Sequence, residues 1–508
     1  MNRQLRRLGS FCADHRYLLL SAVVLLGLTI QTINELWSSD VFEHLAVVRE
    51  LSSRPFDPQH PLLSLDADHP LYSPYTVVLG LLGNVTGLGA VSVLKIAAVG
   101  NAVFLLVAFR RFARVITGQR HAEFFGLLAI LLVWGPTAWR LSGFLNLNSI
   151  GYGLPYPSAF ASALMLVALT EADLVIRNGA RWGRLVVLAL GVATILVTHP
   201  ITGIATAAGI AAVWFGRGRV LPRRSDVPLF GALAAAALLV TIWPYYSFWS
   251  LLLDNSDYVS AHFQLYEGLP LRLAPLAILV VFLIAGRPRL RDEPLIVWAS
   301  IGAALYLIGL VTGQYVLGRT LAFVALAVLT KVGAVTAGYF ERPQPGRERA
   351  FVIIAAGLAV VGLVFASPAL LRMVPRAVLP ESLADDDRLA PVTAGYGFLP
   401  ALVPDDAVVA AWPNELNDVT PALAGKVLAT PKPVPFVDEV DQGRGINRRM
   451  FDSNTDEADR RRLVTSQQVD FILFDEDAVS ERVASELTRL GSVVYNDDGI
   501  VLVATPAP

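Results

Sequence analysis

The stretch "YLLLSAVVLLGLTIQTINELWSSDVFEHLAVVREL", residues 17–51, changes from an apolar run to a polar segment within a few positions. A transmembrane helix needs about 20 predominantly apolar residues, and residues 17–33 fall within the accepted range. Three ionisable side chains, Asp40, Glu43 and His44, follow directly. We therefore expect a membrane helix that is followed by a polar segment at the membrane surface.

The apolar pattern recurs along most of the chain. Of the 508 residues, 54% are hydrophobic and 16% are charged, whereas a soluble domain carries about 25% charged residues. Further apolar runs read as spans, which predicts an α-helical polytopic membrane protein with about 11–13 transmembrane helices. These runs lie at residues 122–139, 157–176, 184–199, 201–216, 227–249, 270–286, 294–312, 318–340 and 350–371.

The distribution of arginine predicts the orientation of these spans, because cytoplasmic loops carry an excess of Lys and Arg. The Arg-rich segment 110–114 requires an odd number of crossings within residues 74–109, so we expect one full span there plus a re-entrant or interfacial piece. The N-terminus is then cytoplasmic, and both the first loop, 34–73, and everything after residue 371 lie outside. The other Arg-rich loops are 177–184, 217–224, 287–291 and 341–349.

The N-terminus has two interpretations. A basic flank before an apolar run is typical of a secretory signal peptide. No small-residue cleavage site follows, however, and the chain continues directly into "NELWSSD", residues 34–40. We therefore expect a retained first helix in the plasma membrane.

The character of the sequence changes after residue 372. Residues 1–372 contain every run that can span a bilayer, whereas residues 373–508 are polar and mix strand-like with helical pieces. This predicts a transmembrane domain followed by a small extracytoplasmic α/β domain, which is large enough to hold a core. The strand-like pieces are residues 406–412, 469–475, 491–496 and 499–506.

Charge and cysteine content argue against several classes of function. The formal net charge is −1, which gives no reason to expect nucleic-acid binding. Cys12 is the single cysteine, so neither a disulfide framework nor a cysteine metal site is expected. The tail also lacks a Gly-rich phosphate loop and a nucleophile motif.

The polar segment after the first helix has its own helical pattern. In "DVFEHLAVVREL", residues 40–51, the side chains of Asp40, Glu43 and His44 have the spacing i, i+3 and i+4, which places them on one face of a helix. One interpretation is that Asp40 only caps the helix, as Asp often does after serines. The other is that these groups face a reaction cavity.

This 12-residue stretch resembles the "DExxYxxIAxxL" pattern of extracytoplasmic glycosyltransferases with the GT-C fold. These include protein O-mannosyltransferases, aminoarabinose transferases and actinobacterial arabinofuranosyl- and mannosyltransferases. Val41 stands where the family has its second acid, and Glu43 lies one helical turn further on. Two other regions carry the resemblance: "DHPLYSPYTVVLGLL" (68–82) before the next helix, and "VVAAWPNELNDVTPALAGKVLATP" (408–431) with "VVYNDDGIVLVATP" (493–506) in the tail.

The resemblance implies a membrane transferase that uses a polyprenyl-phosphate sugar donor, with arabinofuranose or mannose as the sugar. The acceptor would be a cell-envelope glycan or glycolipid on the extracytoplasmic face. Asp40 would be the general base, with Glu43 beside it. The chemistry is consistent, because a carboxylate can take the proton of an acceptor hydroxyl while a cation stabilises the leaving phosphate.

Several outward-facing residues are candidates for substrate binding. Arg319 lies at the outer end of an apolar run and could grip phosphate in bidentate fashion, or snorkel to lipid headgroups. Arg140 is a weaker candidate of the same kind. His199 lies at the tip of a tight helical hairpin, where it either binds donor phosphate or satisfies the turn.

Asp68 and His69 precede Pro70, where the chain re-enters the membrane, so they either line the site or belong to a polar loop. Together with Glu43 and His44 they offer ligands that suit Mg²⁺ or Mn²⁺. Their spacing is not diagnostic, and a metal is therefore not assigned.

Two rival functions remain open at this point. A transporter or flippase for a lipid-linked or small polar substrate would carry inverted repeats and charges near the bilayer midplane. We find no internal repeat, and the ionisable residues lie at the outer ends of the spans. A non-catalytic scaffold would leave Asp40 and Arg319 without a role.

Overall fold

A computed structural model shows a mostly helical protein with two compact units. The helical unit comprises Met1–Trp37, Ala97–Trp243 and Asn255–Ala390, and the mixed unit comprises Ser38–Ile96, Pro244–Asp254 and Pro391–Pro508. The structure describes residues 2–38, 40–253, 260–285, 293–343, 346–380, 383, 386–432, 434–437 and 440–506.

Sixteen α-helices precede the tail in the described part of the chain. They are α1 (Asn2–Ile33), α2 (Val41–Ser53), α3 (Pro74–Thr86), α4 (Ala90–Thr117), α5 (Ala122–Leu132), α6 (Leu147–Ile150), α7 (Pro157–Asn178), α8 (Trp182–Thr198), α9 (Pro200–Gly216), α10 (Val227–Thr241), α11 (Phe248–Leu253), α12 (Leu269–Ile284), α13 (Pro294–Thr312), α14 (Thr320–Glu341), α15 (Arg347–Phe365) and α16 (Ser367–Arg372).

Within the described residues, seven helical segments are long and apolar enough to cross a membrane, and four shorter helices are also apolar. The prediction of a multi-pass α-helical membrane protein is therefore confirmed. The four shorter helices are α5, α8, α9 and α12. The seven longer segments are His15–Ile33, Ala90–Thr117, Pro157–Asn178, Arg224–Thr241, Pro294–Thr312, Tyr315–Glu341 and Arg347–Phe365.

Residues 74–109 contain the 13-residue helix α3 and most of the span-length α4, in agreement with one full span plus a shorter piece; α4 continues through the Arg-rich segment 110–114. The predicted run 122–139 is shorter than expected, because α5 ends at Leu132. Pro136 follows soon after, and proline cannot donate the next helical hydrogen bond. The predicted basic loop 287–291 lies outside the described residues.

Small residues allow helices of the helical unit to approach closely. A Cβ added at Gly333 of α14 would lie 2.3 Å from the backbone nitrogen of Gly126 on α5. Only glycine fits at such a distance, which is how small residues typically bring membrane helices into contact. The buried Asp173 also connects two helices of this unit. On α7 it pairs with Arg177 at 3.3 Å, and it pairs with Arg217 at the end of α9 at 2.7 Å.

The tail forms a five-stranded sheet with the order β2-β1-β3-β5-β4. Strands β1, β2 and β3 are parallel, and β5 runs antiparallel to both of its neighbours. The elements are α17 (Leu399–Leu402), β1 (Val408–Trp412), α18 (Asn414–Leu423), β2 (Lys426–Val427), α19 (Val440–Phe451), α20 (Glu457–Ser466), β3 (Phe471–Asp475), α21 (Glu481–Thr488), β4 (Ser492–Asp497) and β5 (Ile500–Ala504).

The predicted strand pieces correspond to β1, β3, β4 and β5, whereas the two-residue β2 was not predicted. The first loop pairs with this short strand: Leu63 bridges Val427, whose backbone N–H donates to the carbonyl of Leu62 at 2.8 Å. The first loop and the tail belong to one compact unit, and their location on the extracytoplasmic side stays a prediction. The predicted boundary at residues 372/373 stays a prediction.

Candidate active site

Asp40 lies immediately before α2 and presents its carboxylate to solvent. Its backbone is helical (φ −60°, ψ −17°), and its side chain makes no capping hydrogen bond. The side chain is 69% exposed, and its Oδ1 accepts a hydrogen bond from Lys432 Nζ at 3.2 Å. Asp40 therefore does not cap α2 in this structure; its carboxylate pairs with a cation from the tail.

Lys432 is a cation near several carboxylates. Its side chain is only 17% exposed. Although burial opposes its charge, three carboxylates raise its pKa, those of Glu43, Asp40 and Asp418. The guanidinium of Arg444 on α19 holds the same segment, because its Nη2 donates to the carbonyl of Lys432 at 2.7 Å. The backbone that carries the ammonium group is therefore anchored.

Glu43 is less exposed than Asp40 and titrates differently. Its side chain is 19% exposed, and burial raises the pKa of Glu43 from 4.5 to about 7, although the charge of Lys432 opposes the shift. Its Oε1 lies 3.6 Å from His69 Nε2. The carboxyl of Glu43 therefore gains and loses its proton near neutral pH.

The histidines of the mixed unit are neutral at physiological pH. Burial lowers the pKa of His44 to about 4 and that of His60 to about 3. Burial also lowers the pKa of His69 well below 6.5, and the neighbouring His60 adds to the effect. The Nδ1 atom of His60 accepts from the N–H of Leu63 at 3.0 Å, so its proton is on Nε2. His69, at 1% exposure, faces Glu43 rather than solvent.

A second ion pair fixes α2 within the mixed unit. Lys426 Nζ donates to Glu50 Oε2 at 2.5 Å and to the carbonyl of His60 at 2.9 Å. Both side chains are under 10% exposed, at 6% and 8%. Because the ammonium group has several partners, it is well compensated despite its burial.

The structure does not assemble the acids and histidines of the first loop into a metal site. Asp68 is exposed, and its pKa is raised by partial burial and by the charge of Asp66. Among the residues that the structure describes, no three His, Cys, Asp or Glu side chains are grouped so as to hold a metal ion.

Arg319 lies in the helical unit at the start of α14, as the sequence predicts. Its Nη1 donates to the carbonyl of Ser142 at 2.9 Å and to the hydroxyl of Ser142 at 2.8 Å. Arg319 therefore fixes the loop 140–156, and its role in phosphate binding stays a prediction.

Arg372 faces the same loop and was missed in the sequence. It is 4% exposed, its guanidinium lies 4.4 Å from the centre of the Tyr152 ring, and it donates to the carbonyl of Asn148 at 3.3 Å. Burial lowers the pKa of Arg372, and the positive charge of the exposed Arg140 adds to the effect. Within the described ranges neither Arg372 nor Arg140 forms an ion pair with a carboxylate, and guanidinium groups that are not compensated in this way can bind an anion.

His199 satisfies the turn between α8 and α9. Its Nδ1 accepts a hydrogen bond from the backbone N–H of Thr202 at 3.3 Å and lies 2.8 Å from the Thr202 hydroxyl. This agrees with the structural interpretation of His199, and its contact with donor phosphate stays a prediction.

The arrangement of the whole chain has counterparts among solved structures. ArnT from Cupriavidus metallidurans bound to undecaprenyl phosphate superposes with a TM-score of 0.56 at 15% identity, over 96% of this chain and 98% of that one. The arabinofuranosyltransferase AftD from Mycobacteria gives 0.55 at 14% identity, over 97% of this chain but 40% of AftD. The protein has a GT-C fold.

The GT-C fold is evident from structure rather than from sequence similarity. The sequence matches no protein-family model. It also matches no curated protein. The resemblance inferred from the first-loop acid is therefore confirmed at the level of the fold.

Two residues of this GT-C protein were missed in the sequence, Lys432 and Arg372. The signal for Lys432 was its rarity, since the chain has only four lysines against many arginines, and two of the four lie in the tail. Arg372 follows the last apolar run, where no sequence motif indicates a functional residue. Both act through contacts with residues far away in the sequence.

The pKa of Glu43 predicts a pH-dependent difference in stability between the wild type and Glu43→Gln. The pKa of Glu43 is about 7 in the folded state and 4.5 in the unfolded state, so the folded protein binds this proton more tightly. The resulting stabilisation is fully present below pH 4.5 and is lost as the pH rises through 7. Gln resembles the protonated acid at every pH. We expect similar Tm values at pH 5 and a higher Tm for Glu43→Gln at pH 8, where its free energy of unfolding should exceed that of the wild type by an amount on the order of 3 kcal/mol at most.

Thermal unfolding in detergent at the two pH values measures this difference. The exposed Glu476→Gln is the control, and it should leave the Tm difference between pH 5 and pH 8 as in the wild type. A Glu43→Gln protein that follows the wild type at both pH values would show that Glu43 titrates normally.

Proposed function

We propose that the protein is an inverting glycosyltransferase that moves a sugar from a polyprenyl-phosphate donor to a cell-envelope glycan or glycolipid. Arabinofuranose or mannose is the proposed sugar, and the extracytoplasmic face of the plasma membrane is the proposed location. The observation that carries the proposal is a GT-C fold in which the first-loop acid, Asp40, presents an exposed carboxylate.

The proposed reaction is a single displacement. The Asp40 carboxylate accepts the proton of an acceptor hydroxyl, and the oxygen attacks the anomeric carbon of the donor. The bond between that carbon and the phosphate oxygen breaks, and polyprenyl phosphate leaves with the electron pair. One displacement inverts the anomeric carbon. Lys432 holds the Asp40 side chain in place, and Glu43 is the second carboxyl near Lys432.

The leaving phosphate gains negative charge and needs a cation. Arg372 and Arg140, which affect each other electrostatically, supply two guanidinium groups that have no carboxylate partner among the described residues. Arg319 anchors the same loop through Ser142, and we assign it as a third phosphate-binding cation. Guanidinium groups bind phosphate oxygens in bidentate pairs, which favours this loop as the donor-phosphate site.

We expect Arg372→Ala to raise the KM for the donor about 10-fold or more, since a charged hydrogen bond to phosphate is worth about 1.5–3 kcal/mol. Arg372→Lys should recover part of the loss, because it keeps the charge but not the bidentate geometry. Arg319→Ala should act in the same direction. Initial rates against donor concentration in proteoliposomes measure the effect.

The exposed Arg376→Ala, four residues further on, is the matched control and should leave the donor KM unchanged. A Tm measured for each variant separates lost binding from lost folding. If Arg372→Ala is stable and has the donor KM of the wild type, Arg372 only packs against Tyr152.

Glycan linkage analysis of the cell envelope after depletion of the protein tests the proposed function in the cell. We expect one type of glycosidic linkage to disappear while the lipid-linked donor accumulates. The wild-type gene should restore the linkage, and the Asp40→Asn gene should not. An envelope with all linkages intact after depletion would contradict the proposal.

A further inference from the structure

The mixed unit contains a cleft of about 270 Å³ at the β2 edge of the sheet. This volume is close to that of the smaller ligand pockets in proteins. The walls come from the first loop, from β1 and β2 with the residues that follow, from α19 and from the turn after α20. We call it the edge cleft.

Among the residues that the structure describes, the lining of the edge cleft is polar but carries no charged side chain. Its polar side chains are the hydroxyls of Ser64 and Thr430 and the amides of Gln442, Gln467 and Gln468. Its remaining walls are mainly aliphatic. Amides and hydroxyls both donate and accept hydrogen bonds, as sugar hydroxyls do, and aliphatic walls suit the C–H faces of a sugar ring. A charged ligand would find no counter-charge in this lining.

A second cavity of the tail has the opposite character. It lies along α20 and is lined by charged side chains, among them Arg449, Glu457 and Arg461. The uncharged character of the described lining residues of the edge cleft is therefore not shared by every cavity of this domain.

A short segment of chain connects the edge cleft with Asp40. Thr430 lines the cleft, and its hydroxyl accepts a hydrogen bond from the backbone N–H of Lys432 at 3.2 Å. Lys432 in turn holds Asp40 through its ammonium group. Arg444 fixes the short segment from Thr430 to Lys432, since its Nε donates to the carbonyl of Thr430 at 2.9 Å. Two residues of chain span at most about 7 Å, and the Lys432 side chain extends from there to the Asp40 carboxylate.

We propose that the edge cleft binds an uncharged saccharide, the non-reacting part of the acceptor glycan. The inference rests on the proposed function and adds the part of the chain that recognises the acceptor. An acceptor held in the cleft would extend past Thr430 and bring its terminal hydroxyl to Asp40. A neutral peptide is the main competing ligand, because backbone amides would also suit this lining.

Ser64→Trp tests the proposal by filling the cleft. Ser64 is exposed, so the larger side chain should be tolerated by the fold. The probes are short linear arabinofuranose and mannose oligosaccharides, whose binding to the full-length protein in nanodiscs is measured by saturation-transfer NMR without donor. We expect the wild type to bind at least one probe, Ser64→Trp to bind it about 10-fold more weakly or worse, and Gln442→Ala to fall between them.

Ser492→Trp is the matched control, because Ser492 is exposed on β4 at the opposite edge of the sheet and should bind the probe as the wild type does. The proposal is overturned if the wild type binds neither probe, if Ser64→Trp binds as well as the wild type, or if only neutral peptides compete for the cleft. Binding is measured without turnover, so an inactive enzyme that still binds saccharide through the cleft would refute the proposed reaction and not this inference.

Discussion

Replacing Asp40 by Asn is expected to lower the rate of sugar transfer by about 10²–10⁴-fold, the usual cost of removing a positioned general base. The Tm should change little, because the side chain of Asp40 is 69% exposed and makes no capping hydrogen bond. Asn keeps the size and one oxygen acceptor for Lys432 but cannot take up a proton. The measurement is transfer from a polyprenyl-phosphate donor by purified protein in lipid, with Tm determined alongside.

Glu43→Gln is the informative companion to Asp40→Asn. If Asp40 is the base, Glu43→Gln should retain part of the turnover, since it keeps the contact with His69 and loses only a charge. Full activity in Asp40→Asn together with an inactive Glu43→Gln would transfer the role of base to Glu43, whose pKa of about 7 suits proton transfer at neutral pH.

Removing Lys426 is expected to cost the mixed unit about 3–5 kcal/mol of stability, the usual effect of breaking a buried ion pair on one side. In Lys426→Met the carboxylate of Glu50 would remain buried without its cation. The carbonyl of His60 would also lose its donor. The experiment is thermal or denaturant unfolding followed by a probe in the tail.

The double variant Lys426→Met with Glu50→Gln should recover much of the lost stability, because no buried charge then remains. The exposed Arg448→Met on α19 is the control for removal of a cation, and its effect should stay within about 0.5 kcal/mol. A single Lys426→Met variant as stable as Arg448→Met would mean that the buried pair contributes little.

Local patterns in the sequence predicted most of the helices and strands. Apolar runs of span length locate the long helices, and β-branched runs between polar turns locate β1, β3, β4 and β5. The helical spacing of Asp40 and Glu43 correctly places both on one segment after the first span. Each of these features depends on neighbours within a few residues, which is why the sequence reveals them.

The contacts that define the candidate site could not be predicted in the same way. Lys432 and Asp40 are 392 positions apart, and Lys426 and Glu50 are 376 apart. No helical or strand period links such residues; only the folded topology brings them together. The short β2 was missed because two residues carry no alternation, and it pairs with Leu63 of the first loop.

The most direct test of the central claim follows a labelled sugar in proteoliposomes that contain the purified protein, a polyprenyl-phosphate donor and an oligosaccharide acceptor. We predict that the label moves onto the acceptor with release of polyprenyl phosphate, and that Asp40→Asn abolishes this transfer. Movement of the intact lipid-linked sugar between the two leaflets, with no new glycosidic bond and no effect of Asp40→Asn, would contradict the account and identify a transporter.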